Sequence, residues 1–476
     1  MKKIIPQKIK NIYHLLRSFF SAVWFGFPAK NLKVIGITGT NGKTTTTLMI
    51  GKILEEAGKK IAIASTINFK IDKEEWTNKT KFTTLSGWHL QKFIFKAKKA
   101  HCEYLVLEVG SHALDQNRVW GIEFNTAVIT NITREHLDYH RTMENYRKAK
   151  RRLFESLKGG FLNWKINRGN FFLKKKKTKK IAIVNLAMEK PEDFLTVKAD
   201  ERYGYSAEII GENSTSKRKD EKNCDCEKVL AKNIQASLSG SRFEVAIGEH
   251  YSNFAIHLPG YFNIENALAG ICVGLSEGIS LETCARALEK IEKIAGRMDY
   301  VKNDREIDII IDYALTPDSM EKIGKLMTES LSQKKVGQNS KLIWVFGACG
   351  ERDRGKRPMM GEIVSRYADV AIVTNEDPYG ENPEDILDEI ISGIVGEQNM
   401  EDNANLKLEK NKRFVQIWKI LSRKSAIKKA LDLARKGDVV LITGKGAEET
   451  MAIGEKRILW NDRRVIEGIL KEENRG

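Results

Sequence analysis

Proline is scarce in this chain, 8 in 476 residues, and the six cysteines are dispersed at Cys102, Cys224, Cys226, Cys272, Cys284 and Cys349. That composition excludes a proline-rich linker protein or a disulfide scaffold. The one close cysteine pair, Cys224-Asp-Cys226, is too short for a usual zinc knuckle, so a reducing cytoplasm is the plain reading. Long apolar runs are also missing. The stretch from Leu15 to Phe27 is interrupted by Arg17 and is too short to span a bilayer, so it reads as an amphipathic packing helix. Acidic residues are under-represented, 63 against 80 Lys and Arg, giving a formal charge of +17 that suits anionic ligands such as nucleotide phosphates. A nucleic-acid interface has only the dense run Lys174 to Lys180 behind it and is not expected.

What is present is 41% hydrophobic residues in a chain too long for one ordinary core, so two or three domains are expected. Apolar strands alternate with helices, which predicts an α/β fold with mostly parallel sheets covered on both faces. Val34 to Ile37, Tyr104 to Val109, Ala127 to Thr130 and Ile181 to Asn185 read as strands; Thr44 to Ala57 and Glu144 to Leu157 read as helices. In the second helix Lys150 follows Tyr146 by four residues and borders the apolar face, and Gly159-Gly160 ends it. From Phe161 to Lys232 the chain turns lysine-rich and polar, an expected set of loops or an insertion around the one short strand. A second α/β unit begins after Gly296-Arg297, with strands near Ile307 to Ile311, Leu342 to Phe346, Val370 to Val373 and Val439 to Thr443. Each ends close to Gly, Asp or Asn, where open sheets of this class bind ligands.

The strongest local signal is Gly36-Ile-Thr-Gly39-Thr40-Asn41-Gly42-Lys43-Thr44-Thr45, a strand, a glycine-rich turn and a helix in that order. Glycines let backbone N–H groups close around phosphate oxygens, and the helix N-terminus adds partial positive charge. Lys43 is placed to reach the β- and γ-phosphates of ATP, and the Thr44 hydroxyl to hold Mg²⁺. The usual loop has glycine six residues before the lysine; here that position is Ile37. Glu108 closes the strand Tyr-Leu-Val-Leu at the sheet edge beside the phosphates, a hard oxygen ligand suited to Mg²⁺.

Three further segments extend the pattern: Glu108-Val-Gly110-Ser-His-Ala-Leu, Thr130-Asn-Ile-Thr-Arg-Glu-His136-Leu-Asp-Tyr-His, and Tyr146-Arg-Lys-Ala-Lys150-Arg-Arg-Leu-Phe. With Thr-Gly-Thr-Asn-Gly-Lys-Thr they resemble the Mur ligase family, closest to its E-type members, the UDP-N-acetylmuramoyl-dipeptide ligases. The resemblance implies an ATP-dependent amide-bond ligase with a central ATP-binding domain and a Rossmann-like C-terminal domain. It implies that Glu108 and His136 hold two magnesium ions and that Lys150 is carbamylated by CO₂. It also assigns Thr83, Thr84, Gln116 and Arg118 to a UDP-linked muramoyl-dipeptide acceptor. Asn263 and Asn266, in Leu258-Pro-Gly-Tyr-Phe-Asn-Ile-Glu-Asn-Ala, face the adenine by resemblance, and Asn263 could equally cap a helix. Arg297 and Asp312 open the third domain as the phosphate and ribose partners.

In the last domain Phe346-Gly-Ala-Cys-Gly-Glu-Arg352-Asp-Arg-Gly-Lys-Arg-Pro and Gly444-Lys-Gly-Ala-Glu448 match family motifs, which implies that Arg352, Gly444 and Glu448 line the pocket of the incoming amino acid. Glu376-Asp377-Pro378-Tyr379 stands where diaminopimelate-adding members carry Asp-Asn-Pro-Arg, so the distal carboxylate of that substrate loses its arginine partner, and lysine or another amino acid stays open. Other departures are Leu85, Gly110, Leu315 and Ala447, each in place of a family proline, serine or histidine.

The resemblance covers about residues 31 to 465. It divides the chain into a short helical segment 1–30, a central ATP-binding domain 31–296 with a lysine-rich insertion near 161–180, and an amino-acid-binding domain 297–476. The family's uridine-binding domain is absent or reduced to the first thirty residues, leaving uridine recognition weaker, supplied by another protein, or replaced. The reading is a cytoplasmic monomer with no membrane span that forms an acyl-phosphate for peptidoglycan precursor synthesis. Two rivals stand: a ligase with a different acceptor, of folylpolyglutamate-synthase type, and a catalytically weak nucleotide-binding partner protein.

Overall fold

The computed structural model describes all of the chain except residues 1–5, 81, 159–177, 208–224, 334–339, 395–405, 411–412 and 474–476. Two large sheets organise it. Among the described residues the first has eleven strands. Its centre is Lys33–Thr38, flanked in parallel by Tyr104–Glu108 and Thr126–Ile129. Parallel pairing continues outward to Ile61–Ala64 on one side and to Ile181–Asn185, Glu201–Ala207 and Glu227–Ser237 on the other. Antiparallel strands complete both edges: Asn68–Ile71 and Glu74–Thr77 at one, Gly240–Ile247 and His250–Ile256 at the other.

The central strands are buried along nearly their whole length, as expected for a sheet with helices on both faces. One face packs on Lys43–Glu56 and Tyr261–Ser276, through Met49, Ile53, Ala267 and Ile271; the other packs on Gly87–Lys99 and Met143–Glu155, through Leu90, Ile94, Leu153 and Phe154. The second sheet has, among the described residues, seven strands, with Asp308–Asp312, Val439–Thr443, Leu342–Phe346, Val370–Thr374 and Arg413–Ile420 parallel in that spatial order and an antiparallel strand at each edge.

The expected mostly parallel α/β architecture is therefore present in both units. The polar region after Phe161 departs from its reading. Its described parts hold Glu201–Ala207 and Glu227–Ser237, two further strands of the first sheet where loops were expected. Gly159-Gly160 and most of the 161–180 segment lie outside the described residues. The N-terminal helix spans Gln7–Trp24 and seats on the first domain by close approach: a Cβ on Gly87 would meet Ser18 Oγ at 2.3 Å, and one on Gly121 would meet Ala22 Cβ at 2.8 Å. No helix among the described residues is long and apolar enough to cross a membrane.

Candidate active site

The glycine-rich turn leaves Lys33–Thr38 at the C-terminal edge of the first sheet and enters the helix Lys43–Glu56. It is tied to the next strand end: Thr40 N donates to Asn131 O at 3.0 Å, Asn41 N to Asn131 Oδ1 at 2.9 Å, and Thr130 Oγ1 to Asn41 O at 2.6 Å. Gly39 is obligatory there, since its φ is +151° and a Cβ would sit 1.9 Å from Thr130 Oγ1. Lys43 curls back over the turn and donates to Gly39 O at 3.1 Å and Thr40 O at 2.8 Å. Burial and the nearby Arg297 guanidinium act to lower its pKa, and the Glu108 and Glu135 carboxylates oppose them only in part.

Glu108 ends the neighbouring strand, and its carboxylate accepts from Thr44 Oγ1 at 3.0 Å, from Thr66 N at 2.8 Å and from Thr66 Oγ1 at 3.0 Å. Across the turn His136 sits at φ +58°, its Nδ1 buried without a hydrogen-bond partner. Its ring meets His112 edge-on at 4.6 Å, and burial holds it well below the usual imidazole range, so it is a neutral imidazole on the wall of the cleft. A hydroxyl, a carboxylate and an orphaned imidazole nitrogen at a phosphate loop fit a Mg²⁺ ion that takes its other ligands from phosphate and water. Among the described residues no cluster of three His, Cys, Asp or Glu side chains offers an all-protein cage. Lys150 is 1% exposed; its Nζ donates to Gly39 O at 2.6 Å and lies 4.4 Å from the Tyr146 ring centre. Burial, reinforced by Lys43, lowers its pKa far below the ordinary lysine value.

The second sheet closes the cleft. Arg297 reaches Thr44 Oγ1 at 3.4 Å with its guanidinium stacked 4.4 Å from the Tyr313 ring centre. Most of the residues singled out in the sequence line this one cavity of about 420 Å³, including Thr83 and Thr84 on one wall and Arg352, Asp377, Tyr379 and Glu448 on the opposite one. Gln116, Glu376 and Gly444 stand behind its walls. Gln116 Nε2 donates to Tyr139 Oη at 3.3 Å; Glu376 accepts from Cys349 Sγ at 3.0 Å and packs where a Gly444 Cβ would lie 2.5 Å from its Oε2.

Several side chains have partners the sequence did not foretell. Both Asp312 oxygens accept backbone amides, Met298 N at 2.8 Å and Ala314 N at 2.7 Å, so Asp312 shapes the crossing between domains. Asp377 and Glu448 are both paired with the buried Lys445, whose pKa their charges raise. Asn266 donates to Asn263 Oδ1 at 3.1 Å; Asn263 in turn donates to Pro259 O at 2.8 Å, and the helix is capped by Gly260 instead of Asn263. Sequence reasoning passed over Lys356 and Glu135, a buried ion pair at 3.2 Å that joins the two domains beside the cleft. Lys356 lay inside the Gly-Lys-Arg-Pro motif, which was signal enough.

The sequence of the central region, residues 37–214, matches the Mur ligase middle domain, and residues 296–446 match the Mur ligase glutamate ligase domain. A UDP-N-acetylmuramoyl-L-alanyl-D-glutamate–2,6-diaminopimelate ligase of Syntrophomonas wolfei is 35% identical over 454 residues, covering 95% of this chain and 81% of the relative. The chain belongs to the Mur ligases. It is an ATP-dependent ligase that forms C–N bonds, from a family that depends on ATP and Mg²⁺. A solved diaminopimelate ligase of the same kind superposes with a TM-score of 0.56 at 25% identity, over 99% of this Mur ligase and 84% of that chain. A folylpolyglutamate synthase of Mycobacterium tuberculosis superposes with a TM-score of 0.64 at 16% identity, over 90% and 92% of the two chains, a likeness of fold alone.

Proposed function

We propose that this Mur ligase adds an amino acid to a UDP-N-acetylmuramoyl-dipeptide in the cytoplasm, as a step of peptidoglycan precursor synthesis. The observation that carries it is the single cleft into which one sheet sends the phosphate loop, Glu108, His136 and Lys150, and the other sends Arg297, Arg352 and Tyr379. The turn Gly39 to Thr45 cradles the triphosphate of ATP, with the buried face of Asn263 and Asn266 beneath it. The acceptor carboxylate, held near Thr83, Thr84 and Arg118, attacks the γ-phosphorus; ADP leaves and an acyl-phosphate forms. Lys43 and Arg297 face the charge that develops on the transferred oxygens. The amine of the incoming amino acid, oriented from the Arg352 and Tyr379 side, displaces phosphate and gives the amide. A cleft closed by both domains excludes the water that would hydrolyse the acyl-phosphate. Thr44, Glu108 and His136 would hold Mg²⁺, two ions in this reading, and the metal would supply neutralisation of phosphate charge.

Lys150 is proposed to carry a carbamate. Burial favours the neutral form of its amine, the form that attacks CO₂ with loss of a proton, and the product would be an anion beside the phosphate loop. Stripping dissolved CO₂ is expected to lower turnover and bicarbonate to restore it, with a carbamate carbon resonance in ¹³C-labelled protein that is absent from Lys150→Ala. Turnover indifferent to bicarbonate and no such resonance would remove the carbamate from the reading.

The reading as a whole is tested by phosphate release from MgATP with UDP-muramoyl-dipeptide and a panel of amino acids, products being weighed by mass spectrometry. A product heavier by one residue, lost in Lys43→Ala, is expected and names the amino acid. ATP binding without turnover on any acceptor would favour the partner-protein reading, which the departures Gly110, Leu315 and Ala447 motivate.

A further inference from the structure

Beside the cleft, the N-terminal helix Gln7–Trp24 and the helix Gly87–Lys99 border a second groove of about 520 Å³, within the size range of nucleotide pockets. It adjoins the active site, since Phe82 and Arg118 line both cavities. Its floor is aromatic, with Trp76 and Phe82 presented to solvent at 41% and 52% exposure. Its rim carries Arg17, Lys92, Lys96 and Arg118, and none of its lining residues is Asp or Glu. That absence extends through the sequence: the first acidic residue of the chain is Glu55, and none occurs between Glu75 and Glu103. Among the described residues no carboxylate on the groove's lining offsets these cations. His14 is held below its ordinary pKa by burial and by the charges of Arg118 and Arg17, and Arg118 Nε is buried without a hydrogen-bond partner. Such a cluster is stabilised by an anion. Flat rings beside it offer a stacking face to a base.

We propose that this groove receives the nucleoside diphosphate end of the acceptor, the pyrophosphate against Arg17, Lys92 and Arg118 and the base on Phe82 or Trp76. The assignment rests on the proposed UDP-linked acceptor. It makes the N-terminal helix Gln7–Trp24 part of the substrate site.

Two measurements separate this from the parent reading. Direct titration of the full chain with UDP, UMP, uridine and inorganic pyrophosphate reads the groove without turnover. UDP is expected to bind best, with affinity reduced tenfold or more in Arg17→Ala/Lys92→Ala and in Phe82→Ala, each checked for unchanged melting temperature. Steady-state kinetics then compare the UDP-linked acceptor with N-acetylmuramoyl-dipeptide lacking the nucleotide. The wild-type preference for the UDP-linked form, as a ratio of kcat/KM, is expected to collapse at least tenfold in the same variants. Pyrophosphate binding as tightly as UDP would reduce the groove to a bare anion site and overturn the proposal, as would undiminished UDP affinity in the folded variants. UDP binding lost in the variants, with no turnover of any UDP-linked acceptor by wild type, would leave the groove standing and overturn the parent reading instead.

Discussion

A single methyl group at residue 42 is enough to probe the phosphate loop. Gly42 has φ +81°, and a Cβ there would meet Asn266 Oδ1 at 2.2 Å, so Gly42→Ala must either rotate the turn or push the asparagine pair aside. ATP affinity is expected to fall at least tenfold by calorimetry while circular dichroism stays unchanged. The histidines give a pH signature in metal-free protein. Burial, with neighbouring cations, lowers His112 to about 3 and His140 to about 4, whereas both return to about 6.5 on unfolding. Below 6.5 the unfolded chain takes up protons that the folded chain refuses. Their contribution is therefore fully present above 6.5 and is lost as pH falls from there towards 3. Urea midpoints are expected to drop between pH 7 and pH 4.5, with a shallower slope in His112→Gln. Residue by residue, the phosphate loop was readable because its chemistry is packed into a few consecutive positions. Glu135 and Lys356 were not, because they stand 221 residues apart in the chain.

Helices and strands were legible to the degree that burial was one-sided or complete. Ile181–Asn185, Leu342–Phe346 and Val439–Thr443 have the ends expected of them, since each is an apolar run buried at every position. Glu227–Ser237 was invisible because only Val229 and Ala231 are buried in it; it is recruited by pairing with Glu201–Ala207 and Gly240–Ile247 and not by its own hydrophobicity. In the second domain, Arg423 begins the helix Arg423–Leu433, where a cation is disfavoured by the helix dipole. It is offset by a buried two-pronged pair with Asp462, at 2.9 and 2.7 Å, and by a bond to Thr443 O at 2.9 Å. Arg423→Met strands a buried carboxylate and is expected to cost about 3–5 kcal/mol by chemical denaturation. The double variant Arg423→Met/Asp462→Leu is expected to recover most of that loss.

Among the described residues specific bonds join the two domains, including Lys356 with Glu135, Asn41 Nδ2 to Asp318 at 2.8 Å, and Arg134 to Asp353 at 3.4 Å. Three of the first domain's contributors, Asn41, Arg134 and Glu135, lie on the two loops proposed to frame the nucleotide, so closure and ATP binding are expected to be coupled. Lys356→Met is expected to raise the KM for ATP and to lower the melting temperature, and Glu135→Gln added to it to restore the melting temperature more than the KM. The order of strands in the larger sheet also bears on biogenesis. Its central strand, Lys33–Thr38, pairs with partners ending at Glu108 and Ile129, both made later. At roughly 5–20 residues per second, about 4–14 seconds of synthesis separate this strand from its first partner. During that interval an apolar segment has two open edges and no partner strand, so its exposure to other chains ends only once Tyr104–Glu108 has been made.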